Sequence, residues 1–112
     1  MTDAKSLAQL PMSSDRMIGA ACSLGADELR QRLTDWRGLR ERATADPIPG
    51  GVRLMLPPDE PIADVAALVS LESACCAFYR FTLRVEGGAR QLEISAGPGA
   101  EPAVHALLGM DA

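Results

Sequence analysis

Along this chain, segments in which hydrophobic residues recur at every second position alternate with segments in which they recur at helical spacing. In four stretches, apolar side chains recur at every second position, which predicts strands with one buried face. The last two of these stretches are separated by Gly87-Gly88, a pair typical of a tight β-hairpin turn. The predicted strands cover about residues 15–23, 52–56, 81–86 and 91–94.

Between the strands, apolar residues recur at helical spacing. One stripe predicts a helix over about residues 25–44, and residues 46–51, rich in Pro and Gly, form a predicted turn cluster. A second helix is predicted over about residues 62–79, because Pro61 suits a first turn and no breaker follows. A short helix over residues 101–108 closes at Gly109. The stripe of the first helix consists of Leu29, Leu33, Trp36, Leu39 and Ala43.

The predicted element order is strand, helix, strand, helix, strand, strand, helix (βαβαββα). It predicts an α+β fold, a two-layer sandwich in which two longer helices and a short C-terminal helix cover one face of a sheet of about four strands. A chain of 112 residues is long enough for one such core. Residues 1–14 lack sustained periodicity and are interpreted as a flexible N-terminal arm, which leaves residues 15–112 as a single α+β domain.

The most unusual chemistry lies near the end of the second predicted helix. Cys75 and Cys76 each lie within about 60° of Glu72 on a helical wheel. That face is also the apolar one, so the carboxylate is predicted to be buried and must be paired, protonated or bound to something. If its partner is Arg53 or Arg84 from the sheet, the three residues are structural only.

Cysteine thiolates are preferred ligands of soft metal ions such as Hg(II), Cu(I) and Zn(II), and a carboxylate can complete such a site. Adjacent cysteines on a helix diverge by about 100°, so they chelate one ion poorly without a third ligand. Cys22, at the end of the first predicted strand, is the candidate for that ligand. The predicted metal site consists of Cys75, Cys76, Cys22 and Glu72, and no organic cofactor is predicted.

Two other functions would use the same residues differently. In a small enzyme, Glu72 would act as a general acid or base beside Cys75. In a non-catalytic interaction module, the cysteines would be replaceable core residues, and the domain would dimerise through its sheet or serve a regulator. An exposed sheet face would allow a homodimer in each case.

Composition and charge restrict the classes of partner, the location and the cysteine state that the sequence predicts. A net charge of -4 and a pI near 4.9 argue against a nucleic-acid partner, and the arginines between Arg30 and Arg42 alternate with acidic residues as on a solvated helix face. No apolar run approaches the roughly 18 residues of a membrane span, and the beginning lacks a signal-peptide pattern, so a cytoplasmic location is expected. Three cysteines, an odd number, do not make a disulfide framework, so free thiols are expected.

The motif Glu-x-x-Cys-Cys-x-Phe-x-x-Phe over residues 72–81, together with Cys-Ser-Leu at residues 22–24, resembles a family of small, largely uncharacterised bacterial proteins and appended domains. The similarity extends over about residues 15–109. The family usually has proline after the paired cysteines, where this chain has Ala77. Such sequences occur beside metal-resistance and thiol-stress regulators, so the resemblance implies a soft-metal or thiol role for Cys22, Cys75 and Cys76.

Overall fold

The structure is a computed structural model that describes residues 25–110. The elements in this range follow the order αββαββα. The predicted arm over residues 1–14 and the predicted first strand over residues 15–23 lie outside the described residues. The helices are α1 (Ala26–Arg42), α2 (Ile62–Cys75) and α3 (Glu101–Leu108), and the strands are β1 (Thr44–Ile48), β2 (Gly51–Met55), β3 (Arg80–Glu86) and β4 (Ala89–Ser95).

Neighbouring strands are antiparallel throughout the sheet, in the order β1-β2-β4-β3. Two-residue turns connect both hairpins, Pro49-Gly50 between β1 and β2 and Gly87-Gly88 between β3 and β4. Both residues of the second turn have positive φ angles, 54° and 86°, which glycine adopts without a steric cost. The hairpin predicted at this turn is confirmed.

Strand β1 occupies part of the predicted turn cluster over residues 46–51. The turn itself is limited to Pro49-Gly50, and the residues before it pair with β2. Pro47 is compatible with a strand here because β1 is an edge strand. Ile48 and Gly51 close the two-residue turn as a hydrogen-bonded pair, so the nitrogen of Pro47 faces the open edge, where no donor is needed.

Strands β2, β3 and β4 each direct one apolar row at the helices. Val52, Leu54, Leu92 and Ile94 are at most 1% exposed and form the centre of the core. Helix α3 contacts β2 and β4, α1 contacts β1, and α2 contacts β3. The fold is therefore the predicted α+β two-layer sandwich. None of the helices within residues 25–110 has both the length and the hydropathy needed to cross a membrane.

Helix α1 matches the helix predicted over residues 25–44 to within two residues. Gly25 is its N-cap, and acidic residues in the first turn and basic residues in the last turn suit the helix dipole. The residues that α1 buries belong to the predicted stripe. They are Leu33, Trp36 and Leu39.

Helix α2 ends at Cys75, whereas the apolar pattern predicts a helix to about Tyr79. Cys76 leaves the helical conformation, with φ -141° and ψ 78°. The cause is long-range packing: Tyr79 is buried, and its hydroxyl donates to the carbonyl of Ala103 in α3 at 3.1 Å. No Gly or Pro marks this end in the sequence, so the helix end was predicted wrongly.

A substitution at Gly51 tests the packing of β2 against β4. A Cβ atom at this position would lie 1.8 Å from the carbonyl oxygen of Ile94, so a side chain would displace backbone in the centre of the sheet. We expect Gly51→Ala to lower the free energy of unfolding by about 2 kcal/mol or more, measured by urea denaturation. Gly97→Ala is the matched control, since its Cβ would meet nothing within 4 Å. Equal losses in the two variants would contradict this packing.

Candidate functional site

Glu72 is the most buried charged group in the described part of the chain, with 1% of its surface exposed. Its Oε1 atom accepts hydrogen bonds from Nε1 of Trp36 at 2.7 Å and from Nη1 of Arg32 at 3.3 Å. The carboxylate is therefore paired, one of the three outcomes that its place on the apolar face predicts. Its ion-pair partner comes from α1, whereas Arg53 of the sheet pairs with Glu93.

Arg32 links this carboxylate to a cysteine. Its Nη1 atom lies 3.3 Å from Oε1 of Glu72 and 3.3 Å from Sγ of Cys75. Burial lowers the pKa of Arg32, but the hydrogen bond to Cys75 and the charges of both neighbours outweigh burial and raise that pKa above its ordinary value. The interpretation of the arginine cluster as a solvated face is wrong for Arg32, whose side chain is only 13% exposed.

Cys75 carries a free thiol in the last turn of α2 and is half-buried. Its thiol donates to the carbonyl oxygen of Leu71 at 3.2 Å, and its Sγ accepts the hydrogen bond from Arg32. A guanidinium bonds more strongly to an anionic acceptor than to a neutral one. The sulfur is thus held in place by two partners while part of its surface stays open to a small ligand.

Cys76 differs from its neighbour in both burial and bonding. It is buried, it caps the end of α2, and its backbone N–H donates to the carbonyl of Glu72 at 2.7 Å. Cys76 is disulfide-bonded, and its partner lies outside the described residues. The expectation of free thiols is therefore wrong for Cys76 and right for Cys75. Cys22, the remaining cysteine of the sequence, also lies outside the described residues.

Aromatic rings hold the indole that donates to Glu72. Trp36 stacks on Phe81 with ring centroids 5.5 Å apart, and Tyr79 lies 6.1 Å from Phe81. Burial raises the pKa of Tyr79, and the charge of Glu72 raises it further. Phe78, at the edge of this cluster, is exposed. The rings therefore exclude water from one side of the carboxylate and leave an apolar rim near the cysteines.

A groove of about 530 Å³ runs between α1 and α2. Leu39, Val65 and Leu68 line its floor, and the ion pair of Arg42 and Glu60 lines one part of it. Leu71 also lines the groove, and its carbonyl accepts the thiol hydrogen of Cys75. One end of the groove therefore lies within about one helical turn of the free thiol.

The structure brings together part of the predicted site. Glu72 and Cys75 meet through Arg32, and Cys76 follows directly in the chain. Within residues 25–110, no three His, Cys, Asp or Glu side chains are grouped so that they could hold a metal ion. Comparisons with protein-family models, with curated proteins and with solved structures found no match.

The pairing of Glu72 makes it important for stability. In Glu72→Gln, the largely buried guanidinium of Arg32 loses its anionic partner, so we expect a loss of about 3 kcal/mol in the free energy of unfolding, measured by urea denaturation. Glu93→Gln removes the carboxylate of a more exposed ion pair and should cost no more than about 1 kcal/mol. A loss for Glu72→Gln no larger than that of this control would show that the buried pair contributes little.

Tyr79, the only tyrosine of the chain, allows a test by pH. Its pKa in the folded state is raised by burial and by Glu72, whereas the unfolded value is about 10. Below that pH the contribution of Tyr79 to stability is fully present, and it is lost as pH rises further, because the unfolded state releases the proton first. We expect tyrosinate absorbance to appear only together with the loss of circular dichroism. Ionisation near pH 10 in a protein that is still folded would contradict this environment.

Proposed function

We propose that this chain is a thiol-based binder of soft metal ions of the Hg(II) or Cu(I) type that serves metal resistance or sensing. The observation that carries the proposal is the guanidinium of Arg32, 3.3 Å from the sulfur of Cys75. Soft metal ions prefer cysteine sulfur as a ligand, and the hydrogen bond from Arg32 holds this sulfur in a defined position. The buried carboxylate of Glu72 supports the proposal by holding this cation in position.

Cys75 and Cys76 are the proposed first two ligands. Because Cys76 lies beyond the end of α2, the divergence of about 100° between adjacent helical residues does not apply to this pair. Two thiolates are enough for Cu(I) or Hg(II), whereas structural Zn(II) takes four ligands. Cys22 is the proposed third ligand.

The disulfide of Cys76 has to be reduced before this sulfur can bind an ion. A dithiol reductant supplies two electrons and two protons, which yields two cysteine thiols in this protein and one disulfide in the reductant. A reducing compartment such as the cytoplasm provides such thiols. The proposed binding form is therefore the reduced protein, because within residues 25–110 the oxidised form offers only the thiol of Cys75.

An enzyme in which Glu72 transfers protons receives less support from the same contacts. Its Oε1 atom already accepts two hydrogen bonds, and the residue is almost completely buried. Proton transfer to a substrate would require these bonds to break and water or substrate to enter the core. We therefore assign Glu72 the role of positioning Arg32, as the neighbouring carboxylate of the metal site and not as a direct ligand.

Native mass spectrometry of the reduced protein, with Hg(II), Cu(I) or Zn(II) added against a competing small thiol, tests the proposal. We expect one Hg(II) or Cu(I) ion per chain and no retained Zn(II). The Cys75→Ala, Cys76→Ala double variant should lose the ion. The oxidised protein should also fail to hold the ion, because its only free thiol among the described residues is that of Cys75.

The role of the guanidinium has its own control. Arg32→Gln should weaken metal binding by about tenfold or more, as expected when a group that supports a ligand is removed. Arg30→Gln on the same helix should leave the affinity unchanged, because Arg30 is exposed and pairs with Asp27.

Binding that survives loss of both cysteines, or binding no tighter than that of the competing thiol, would overturn the proposed function.

A further inference from the structure

Strand β3 ends the sheet, and its outer edge pairs with no strand among the described residues. The direction of its backbone groups follows from the neighbouring strands. The N–H of Leu56 donates to the carbonyl of Arg90 at 2.9 Å, so the backbone of Arg90 faces β2 and not β3. Val85 is paired with Arg90 across β3 and β4. Val85 and Arg90 therefore form a non-hydrogen-bonded antiparallel pair, in which both residues direct their N–H and C=O groups away from each other.

The backbone of Val85 therefore faces the open edge. Backbone direction alternates along a strand, so Phe81 and Leu83 direct their N–H and C=O groups to the same edge. These three residues present a row of donors and acceptors that another strand can pair with. Their side chains lie on the face of the sheet that the helices cover, yet Val85 is 55% exposed. The end of β3 thus combines an unpaired backbone with an uncovered apolar side chain.

We propose that a second copy of this chain pairs with β3 edge to edge, antiparallel and about a twofold axis at Leu83. In this arrangement Arg80 lies opposite Glu86 of the second copy, and the symmetry forms that pair twice. Opposite charges directly across two antiparallel strands stabilise their pairing. Phe81 lies opposite Val85 of the second copy, which covers the exposed apolar side chain.

The charges on β3 favour this register of the two strands over registers shifted by one or two residues. Shifting the second strand by two residues in one direction places Arg80 opposite Arg84 of the other copy. Shifting it by two residues in the other direction places the two copies of Arg84 opposite each other. Like charges directly opposite destabilise strand pairing, so both shifts are disfavoured. Shifts by one residue would place the polar face of one strand on the apolar side of the other.

The proposed pairing joins the two sheets into one of eight strands, counting the described strands of both copies. The outward-facing residues of β3 would exchange about six backbone hydrogen bonds across the axis. The pairing also places the Gly87-Gly88 turn of one copy next to the beginning of β3 in the other. That beginning directly follows the segment with Cys76 and Phe78, so dimerisation would set the surroundings of the thiol site. The dimer does not depend on the proposed function.

A charge exchange tests this interface. Sedimentation equilibrium of the full chain should show a monomer–dimer equilibrium. Arg80→Glu alone and Glu86→Arg alone each create two like-charge pairs and should raise the dissociation constant about tenfold or more. The Arg80→Glu, Glu86→Arg double variant restores opposite charges and should return the dissociation constant to within about threefold of the original. Both residues are exposed, so circular dichroism should show an unchanged fold in all variants.

Any of three outcomes would overturn the proposal: that the original chain is monomeric at all accessible concentrations, that both single variants dimerise as well as the original chain, or that the double variant fails to regain dimerisation. The second outcome would direct attention to another surface, such as the groove between α1 and α2. Metal binding is measured separately on the same variants, so failure of the dimer and failure of the proposed function are distinguishable.

Discussion

A charge removed from water must be paired, and much of this structure follows from how Glu72 meets that requirement. The carboxylate lies in the core on α2, and its two hydrogen-bond donors, Trp36 and Arg32, both come from α1. An unpaired carboxylate at this depth would cost more than a small domain can tolerate, so the two helices are bound to one relative position. Because Trp36 also stacks on Phe81, the same contact connects the helices to β3.

The pairing has a chemical consequence beyond stability. The guanidinium that neutralises Glu72 also reaches the sulfur of Cys75, so a structural ion pair places a cation at the one thiol that is free in the described residues. The structure thus joins a stabilising contact to the sulfur of the proposed metal site, and the rest of the motif, Cys76 and Phe78, lies directly after it.

The sequence predicted the parts of this arrangement that depend on local periodicity. Alternation identified β2, β3 and β4, and the helical wheel placed Glu72 in the core with a need for a partner. The partner was missed because the choice between Arg32, Arg53 and Arg84 depends on which elements pack together, and no local pattern contains that information. One signal was present: Arg32 precedes Trp36 by four residues and so lies on the same face of α1. Strand β1 and the end of α2 were missed for the same reason, since edge position and the burial of Tyr79 are long-range properties.

The most direct test of the account is a double-mutant cycle on the free energy of unfolding, measured by urea denaturation for Arg32→Gln, Glu72→Gln and the variant with both substitutions. If the carboxylate and the guanidinium form the contact that fixes α1 against α2, the two single variants should together lose more unfolding free energy than the double variant. We expect the sum of the two single losses to exceed the loss in the double variant by about 1–3 kcal/mol. Losses that add to within about 0.5 kcal/mol would show that the two groups act independently, and would contradict the central role of their pairing.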